Sequence, residues 1–289
     1  MLSPRGAQLV GGAIGRLFVW LPNREQRASR ININLCFPEL NEDEKRHLLR
    51  HSLIESAKAL AEMPGFWQGN IDRWLPLVRD QQGRAIVDEL LARGKGVIVA
   101  GPHLGSWEAV GLALAGLAPV TTLYRPPRYE ALADMIFNGR SRTGARLVAT
   151  DASGIKALYK TLKTGGMVAI LPDQQPKSAR GAVFAPFFGV PALTMELVSR
   201  LSKKTRAPVV FCFAERLPKG QGFRLHWVPA PDGIDDPDPE LAAAALNKGV
   251  ETCVRICPEQ YQWSYKRFRS HPDGKTNRYA AESKKCLSN

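Results

Sequence analysis

An α/β fold with a mixed, largely parallel central sheet flanked by helices is what this sequence predicts, on three observations. Short apolar runs recur through the middle of the chain, as in Val97-Ile-Val-Ala100, Val120 to Tyr124 and Met167 to Leu171. Segments with helical periodicity separate them, such as Tyr129 to Arg142 and Gly154 to Lys163. That alternation is the signature of strands crossed over by helices on the sheet faces. Third, polar and charged residues cluster directly after the apolar runs, at Pro102-His103, Arg125-Pro126 and Pro172-Asp173. Loops after parallel strands are where such folds bind ligands.

Taken in order, Gly6 to Leu21 is apolar apart from Gln8 and Arg16. At 1.5 Å per residue a helix of that length spans roughly 24 Å, short of the roughly 30 Å hydrocarbon core. Arg24, Arg27 and Arg30 flank it, as on a cytoplasmic side, and no small-residue cleavage site follows. A short membrane anchor or interfacial helix over residues 1–30 is expected, the alternative being a buried helix. Asn41 and Glu44 form a capping-box pattern for a helix that Pro64 should stop at Met63. Within it His47 and His51 lie four apart, but no third metal ligand is evident. Phe66, Trp67 and Trp74 follow and suit a membrane interface or a core edge equally. Arg84 to Arg93 reads as a helix ended by Gly94.

The central stretch runs from Gly96 to Glu108: a buried strand, a Gly-Pro break, His103 in the loop, Gly105 to bend the chain back, and Ser106 as N-cap of a helix from Glu108 to Gly116. A carboxylate in the first turn is favoured by the helix dipole. Held beside imidazole, it would fix the tautomer and stabilise the protonated ring. Taken alone, the pair could equally be a loop histidine and a surface acid.

Beyond it the sequence predicts strands at Val120–Tyr124, Arg146–Thr150 and Met167–Leu171, then a loop from Lys177 to Pro191 in which Phe184, Phe187 and Phe188 form a mobile lid or pack on the core. A helix over Leu193–Lys203, a strand pair (Pro208–Ala214 and Gly222–Val228) and a helix from Asp238 to Pro258 complete the series. The chain ends in an aromatic and cationic segment, Gln260 to Arg269, and a polar tail over 271–289. Without a repeat or linker, residues 31–270 read as one domain.

The net charge of +13 and pI of about 9.8 attract something acidic: nucleic acid, an anionic membrane, a phosphorylated lipid or an acidic protein. No helix-turn-helix, zinc-finger or RNA-binding signature speaks for nucleic acid. The five cysteines (Cys36, Cys212, Cys253, Cys257, Cys286) contain no Cys-x-x-Cys and fit a reducing compartment.

The His-x-x-x-x-Glu spacing of His103 and Glu108, Tyr124-Arg125-Pro126, Pro172-Asp173-Gln174, Glu259-Gln-Tyr-Gln-Trp263 and Lys266-Arg-Phe268 together resemble the late acyltransferases of lipid A biosynthesis, within the His-x-x-x-x-Asp/Glu glycerolipid acyltransferase group. The resemblance covers about Arg30 to Phe268. It implies a glycerolipid acyltransferase-like fold with an N-terminal membrane-associated helix. It also implies a catalytic base at His103 with Glu108 as its partner. Arg140, whose guanidinium stays charged, and the Gly105 backbone are candidate oxyanion donors; the resemblance matches Arg140, Arg125 and Asp173 to family positions, so all four are expected as oxyanion- or substrate-binding groups, with no metal and no cofactor. The implied reaction moves an acyl chain from acyl carrier protein to a hydroxyl of a 3-hydroxyacyl chain on a lipid A precursor, at the cytoplasmic face of a bacterial inner membrane. The alternatives are an acyltransferase for a lysophospholipid or glycolipid, and a non-catalytic basic protein that binds membrane or nucleic acid.

Overall fold

A computed structural model describes residues 2–127, 129–176 and 178–280. Lys177, Cys286 and the end of the expected polar tail lie outside the described residues. Ten α-helices are described: α1 Pro4–Trp20, α2 Arg24–Cys36, α3 Glu42–Gln68, α4 Ile71–Trp74, α5 Arg84–Ala92, α6 Trp107–Ala115, α7 Glu130–Ser141, α8 Ala152–Lys163, α9 Leu197–Thr205 and α10 Pro239–Ile256. The strands are β1 Val78–Gln82, β2 Val97–Ala100, β3 Val120–Tyr124, β4 Arg146–Ala149, β5 Met167–Ile170, β6 Ala182–Phe187, β7 Val190–Met195, β8 Val209–Arg216 and β9 Phe223–Pro229.

Seven strands form one sheet in the order β1-β9-β8-β2-β5-β3-β4. The run β8-β2-β5-β3-β4 is parallel, β9 is antiparallel to β8, and β1 is parallel to β9. The carboxyl ends of β2, β3, β5 and β8 therefore share one edge. Strand β2 is buried on both faces, as the centre of a largely parallel sheet requires. Its side chains alternate between two cores: Ile98 and Ala100 join helices α8, α9 and α10 on one side, and Val97 and Val99 join α5 and α6 on the other.

Three sequence expectations change. Helix α3 runs through Pro64. The local penalty of a proline in a helix, roughly 3 kcal/mol, is offset by the turn beyond it, where Phe66 packs against Trp74 at 4.3 Å and Phe223 at 5.7 Å. The stretch expected as a loop, either a lid or packed on the core, is a β-hairpin, β6 with β7, whose Phe187 is buried in the core, and Leu193 to Met195 belong to its second strand rather than to α9. Prolines 186 and 191 face each other across this two-stranded ribbon, where few ladder bonds are lost. The turn carries Phe188 and Gly189 at φ 49° and 74°. The left-handed Phe188, a conformation costing on the order of 1–3 kcal/mol, is held by its N–H to Glu251 Oε1 at 2.6 Å and by the rings of Phe37 and Trp263. The basic flank from Arg24 is helix α2, N-capped by Asn23, and β1 is an edge strand that the sequence pattern did not announce.

Helix α1 lies directly on α3. A Cβ at Gly11 would stand 2.6 Å from the Lys58 Cα, and one at Gly15 2.6 Å from the Ile54 Cα, so only glycine permits the approach. Its other side exposes Leu9, Val10, Ile14, Leu17 and Phe18. Among the described residues, no helix is long and apolar enough to cross a membrane.

Candidate active site

The site lies at the carboxyl edge of the sheet, on the loops after the neighbouring strands β2 and β5. Gly101-Pro102 ends β2, and His103 opens the loop. Gly105 then turns back at φ 63°, so close to the end of β8 that a Cβ there would lie 1.9 Å from the Ala214 carbonyl oxygen. The aromatic C-terminal segment closes the loop from the other side: Gln262 N–H donates to the His103 carbonyl and Gly105 N–H to the Gln260 carbonyl, both at 3.0 Å.

Asp173, after β5, is the carboxylate that holds the histidine. Its Oδ1 lies 2.8 Å from His103 Nδ1, and its Oδ2 accepts the His103 backbone N–H at 2.8 Å. Asp173 is buried, at 3% exposure. Burial alone would raise its pKa; the charge of His103 and the two hydrogen bonds outweigh this and leave it below the ordinary aspartate value. An ionised carboxylate only accepts, so in the neutral ring the proton sits on Nδ1 and Nε2 is left as the acceptor. The Gln174 side-chain amide lies 3.2 Å from Nε2 and also reaches Gln262 Oε1 at 3.4 Å, while Trp107 stands edge-on with its ring 5.3 Å away.

Glu108 is held elsewhere. It sits in the first turn of α6, as expected, but Arg140 of α7 grips it with a fork: Nη2 to Oε1 at 2.5 Å and Nε to Oε2 at 3.1 Å. Burial opposes the Arg140 charge and the Glu108 carboxylate more than restores it, so the guanidinium pKa is raised. The sequence reading joined His103 to Glu108 by their spacing. The fold joins His103 to Asp173 and Glu108 to Arg140 instead, because β5 lies beside β2 whereas α6 leads away from the loop.

Three further expectations are corrected. The Gly105 and Ser106 backbone N–H groups donate to Gln260 and Ala214 carbonyls, so neither is free for an oxyanion. Ser106 holds the N-cap position of α6 with no side-chain capping bond. Arg140, being paired, is not an unengaged anion binder. Arg125 is exposed after β3 at the same edge. Sequence reasoning missed Gln174 and Gln262, although both stand inside the motifs it had singled out. It also missed a buried cluster behind the loop. Arg216 at the end of β8 is gripped by Glu62 at 2.8 and 2.7 Å and by Glu55 at 3.1 Å, and its Nη2 also lies 3.4 Å from the Gly105 carbonyl. Gln8 of α1 donates to Glu62 at 3.1 Å.

Next to this edge an apolar cleft opens between α6, α7 and the sheet, enclosing about 990 Å³ including its open mouth. The Glu108–Arg140 pair, Pro102 and Trp107 are among the residues that line it. Its apolar walls include Leu112, Leu114, Val120, Leu123, Trp67 and Trp74. The arrangement provides a base with a fixed tautomer beside a groove shaped for an apolar chain, which is the equipment for transferring an acyl group to a hydroxyl.

Comparison with known proteins agrees. Residues 1–270 match the model of the bacterial lipid A biosynthesis acyltransferase family. Three relatives from Escherichia coli (strain K12) align along most of their length. A lipid A biosynthesis lauroyltransferase is 29% identical over 93% of this chain and 87% of its own. A palmitoleoyltransferase is 28% identical over 93% and 85%, and a myristoyltransferase is 27% identical over 96% and 86%. The chain belongs to the bacterial lipid A biosynthesis acyltransferase family.

Proposed function

We propose that this acyltransferase moves a fatty acyl chain from an acyl-carrier-protein thioester to the hydroxyl of a 3-hydroxyacyl chain on a lipid A precursor. The observation that carries this reading is the His103 imidazole, locked through Nδ1 by Asp173 so that Nε2 is left as the acceptor, on a loop whose Pro102 and Trp107 line a cleft suited to an acyl chain. The acceptor hydroxyl takes the place of the Gln174 amide at Nε2 and loses its proton there as its oxygen attacks the thioester carbon. Asp173 stabilises the imidazolium that results. General-base help of this kind contributes roughly 10²–10⁴-fold. The displaced Gln174 amide is then a donor close to the tetrahedral oxygen, and each such donor contributes roughly 10²–10³-fold. As the C–S bond breaks, His103 returns the proton to the departing thiolate. Asp173, in place of Glu108, is the orienting group in this scheme. Glu108 and Arg140 line the acyl cleft, and Arg125 is the exposed cation for an acceptor phosphate. Imidazole and amide groups suffice for the steps, so the reading includes no metal or cofactor.

The exposed apolar side of α1 supports attachment to the cytoplasmic face of the inner membrane as an interfacial helix. It supports the site's orientation too, since Gln8 of α1 accepts the Gly220 N–H just beyond β8, whose end lies at the catalytic edge. The charge of +13 suits an acidic carrier protein, a phosphorylated acceptor and an anionic bilayer.

The test is an acyl-transfer assay with purified enzyme, offering a tetra-acylated lipid A precursor and lysophosphatidic acid in parallel, with acyl carrier protein as donor. Transfer to the precursor that disappears in His103→Ala is expected. Transfer to the lysophospholipid alone, or near-wild-type turnover by His103→Ala, overturns the reading.

A further inference from the structure

We propose that Gly111 of α6 sets the upper limit of acyl-chain length that the cleft accepts. The inference rests on the reading that the cleft holds the donor's chain. At roughly 100° per residue around a helix, Trp107, Val110 and Leu114 lie to one side of Gly111 and Glu108 and Leu112 to the other, and all of them line the cleft. Gly111 is thus at the centre of the helix face turned to the groove. The opposite face, at Ala109, is fully buried in the core.

Nothing in the backbone calls for glycine here. Its φ is not positive, and a Cβ built on it meets no atom within 4 Å. In a helix interior glycine is the least favourable residue short of proline. Gly139, across the cleft, is the contrast: a Cβ there would stand 2.5 Å from the Trp67 Cα, so that glycine serves packing. At Gly111 the missing side chain serves only to leave room. The position lies about 4.5 Å along the helix axis from Glu108, just under one turn before Leu114, and is exposed to the cleft. A side chain at 111 would therefore project into the cleft and take up room that a long acyl chain needs and a short one can do without.

The experiment compares the wild-type enzyme with Gly111→Ala and Gly111→Leu on a donor series from octanoyl to palmitoyl. Binding of the matching free fatty acids by titration calorimetry provides a readout independent of turnover. In Gly111→Leu the palmitoyl-to-octanoyl ratio of kcat/KM should fall roughly 10²-fold, the scale on which a hydrophobic pocket discriminates methylenes. Gly111→Ala should be intermediate, and long-chain fatty-acid binding should fall in the same order. A ratio that stays constant, including a uniform loss across the series, overturns the proposal. If the wild-type protein transfers no acyl group yet the variants shift fatty-acid binding as described, the acyl-transfer reading fails while the chain-length site stands.

Discussion

Replacing Asp173 with Asn separates the dyad seen in the structure from the one suggested by sequence spacing. Both Asp173 oxygens are in use, one on His103 Nδ1 and one on the His103 backbone N–H, each at 2.8 Å. An amide offers one acceptor and one donor, so Asn can satisfy only one of these two N–H groups. If the acceptor keeps the backbone, its NH₂ faces Nδ1. The ring then holds its proton on Nε2, where the substrate's proton must go. If the acceptor keeps the ring, the tautomer survives but the imidazolium loses its counter-charge inside a buried site. The corresponding substitution in serine-protease triads lowers kcat about 10⁴-fold. We expect roughly 10³–10⁴-fold here, about 4–5.5 kcal/mol of barrier, with KM nearly unchanged because the carboxylate faces the histidine and not the cleft. Glu108→Gln keeps one hydrogen bond to Arg140 and should cost only about tenfold. Initial rates at saturating donor and acceptor measure both. A larger loss for Glu108→Gln than for Asp173→Asn would refute the assignment of Asp173 as the orienting group.

Other expectations concern stability and charge. Arg216→Ala leaves Glu62, 1% exposed, as an unpaired buried carboxylate, so urea denaturation should show a loss of roughly 3–5 kcal/mol; a change under about 1 kcal/mol would contradict it. The folded-state pKa of Asp173 is depressed, so its contribution to stability is present above the unfolded value of about 3.9 and is lost as pH falls through the lower folded value. The stability gap between wild type and Asp173→Asn should accordingly shrink as denaturation is repeated below about pH 4, and a constant gap would argue against the paired carboxylate. Cys36, Cys212, Cys253 and Cys257 are buried and free, with thiol pKa values pushed up, first of all by desolvation. Peptide mapping after iodoacetamide at neutral pH should find them unmodified until urea is added. Finally, KM for the carrier-protein donor should rise with ionic strength, and salt-independent kinetics would speak against docking by a basic surface.

Much of the frame was legible in the sequence because each signal was local. The apolar runs at 97–100, 120–124 and 167–171 announced three central strands, and Asn41 with Glu44 announced a helix start whose capping box is present. The errors came where a local rule met a non-local contact. Pro64 reads as a stop, but the packing of Phe66 carries the helix on. Pro186, Phe188 and Pro191 read as loop, since a two-residue turn of Phe-Gly lacks the usual Asn-Gly signal. Asn23 followed by Gln26 was an available cue for α2: the Asn23 side chain accepts the Gln26 N–H at 2.7 Å. At the site, sequence distance favoured Glu108, five residues from His103. Asp173 is 70 residues away, and only the strand order makes it the nearer carboxylate.

The loop that presents His103 is fastened by residues from both ends of the described chain. Asn32 donates to the carbonyls of Trp263 and Tyr265, each at 2.7 Å across more than 230 positions, and accepts the Tyr279 hydroxyl. During synthesis the central strands can pair long before this knot can be tied. The clasp on the reactive centre can close only after Trp263 has been made, and a nascent polypeptide released short of it would carry every reacting group without the contacts that align them.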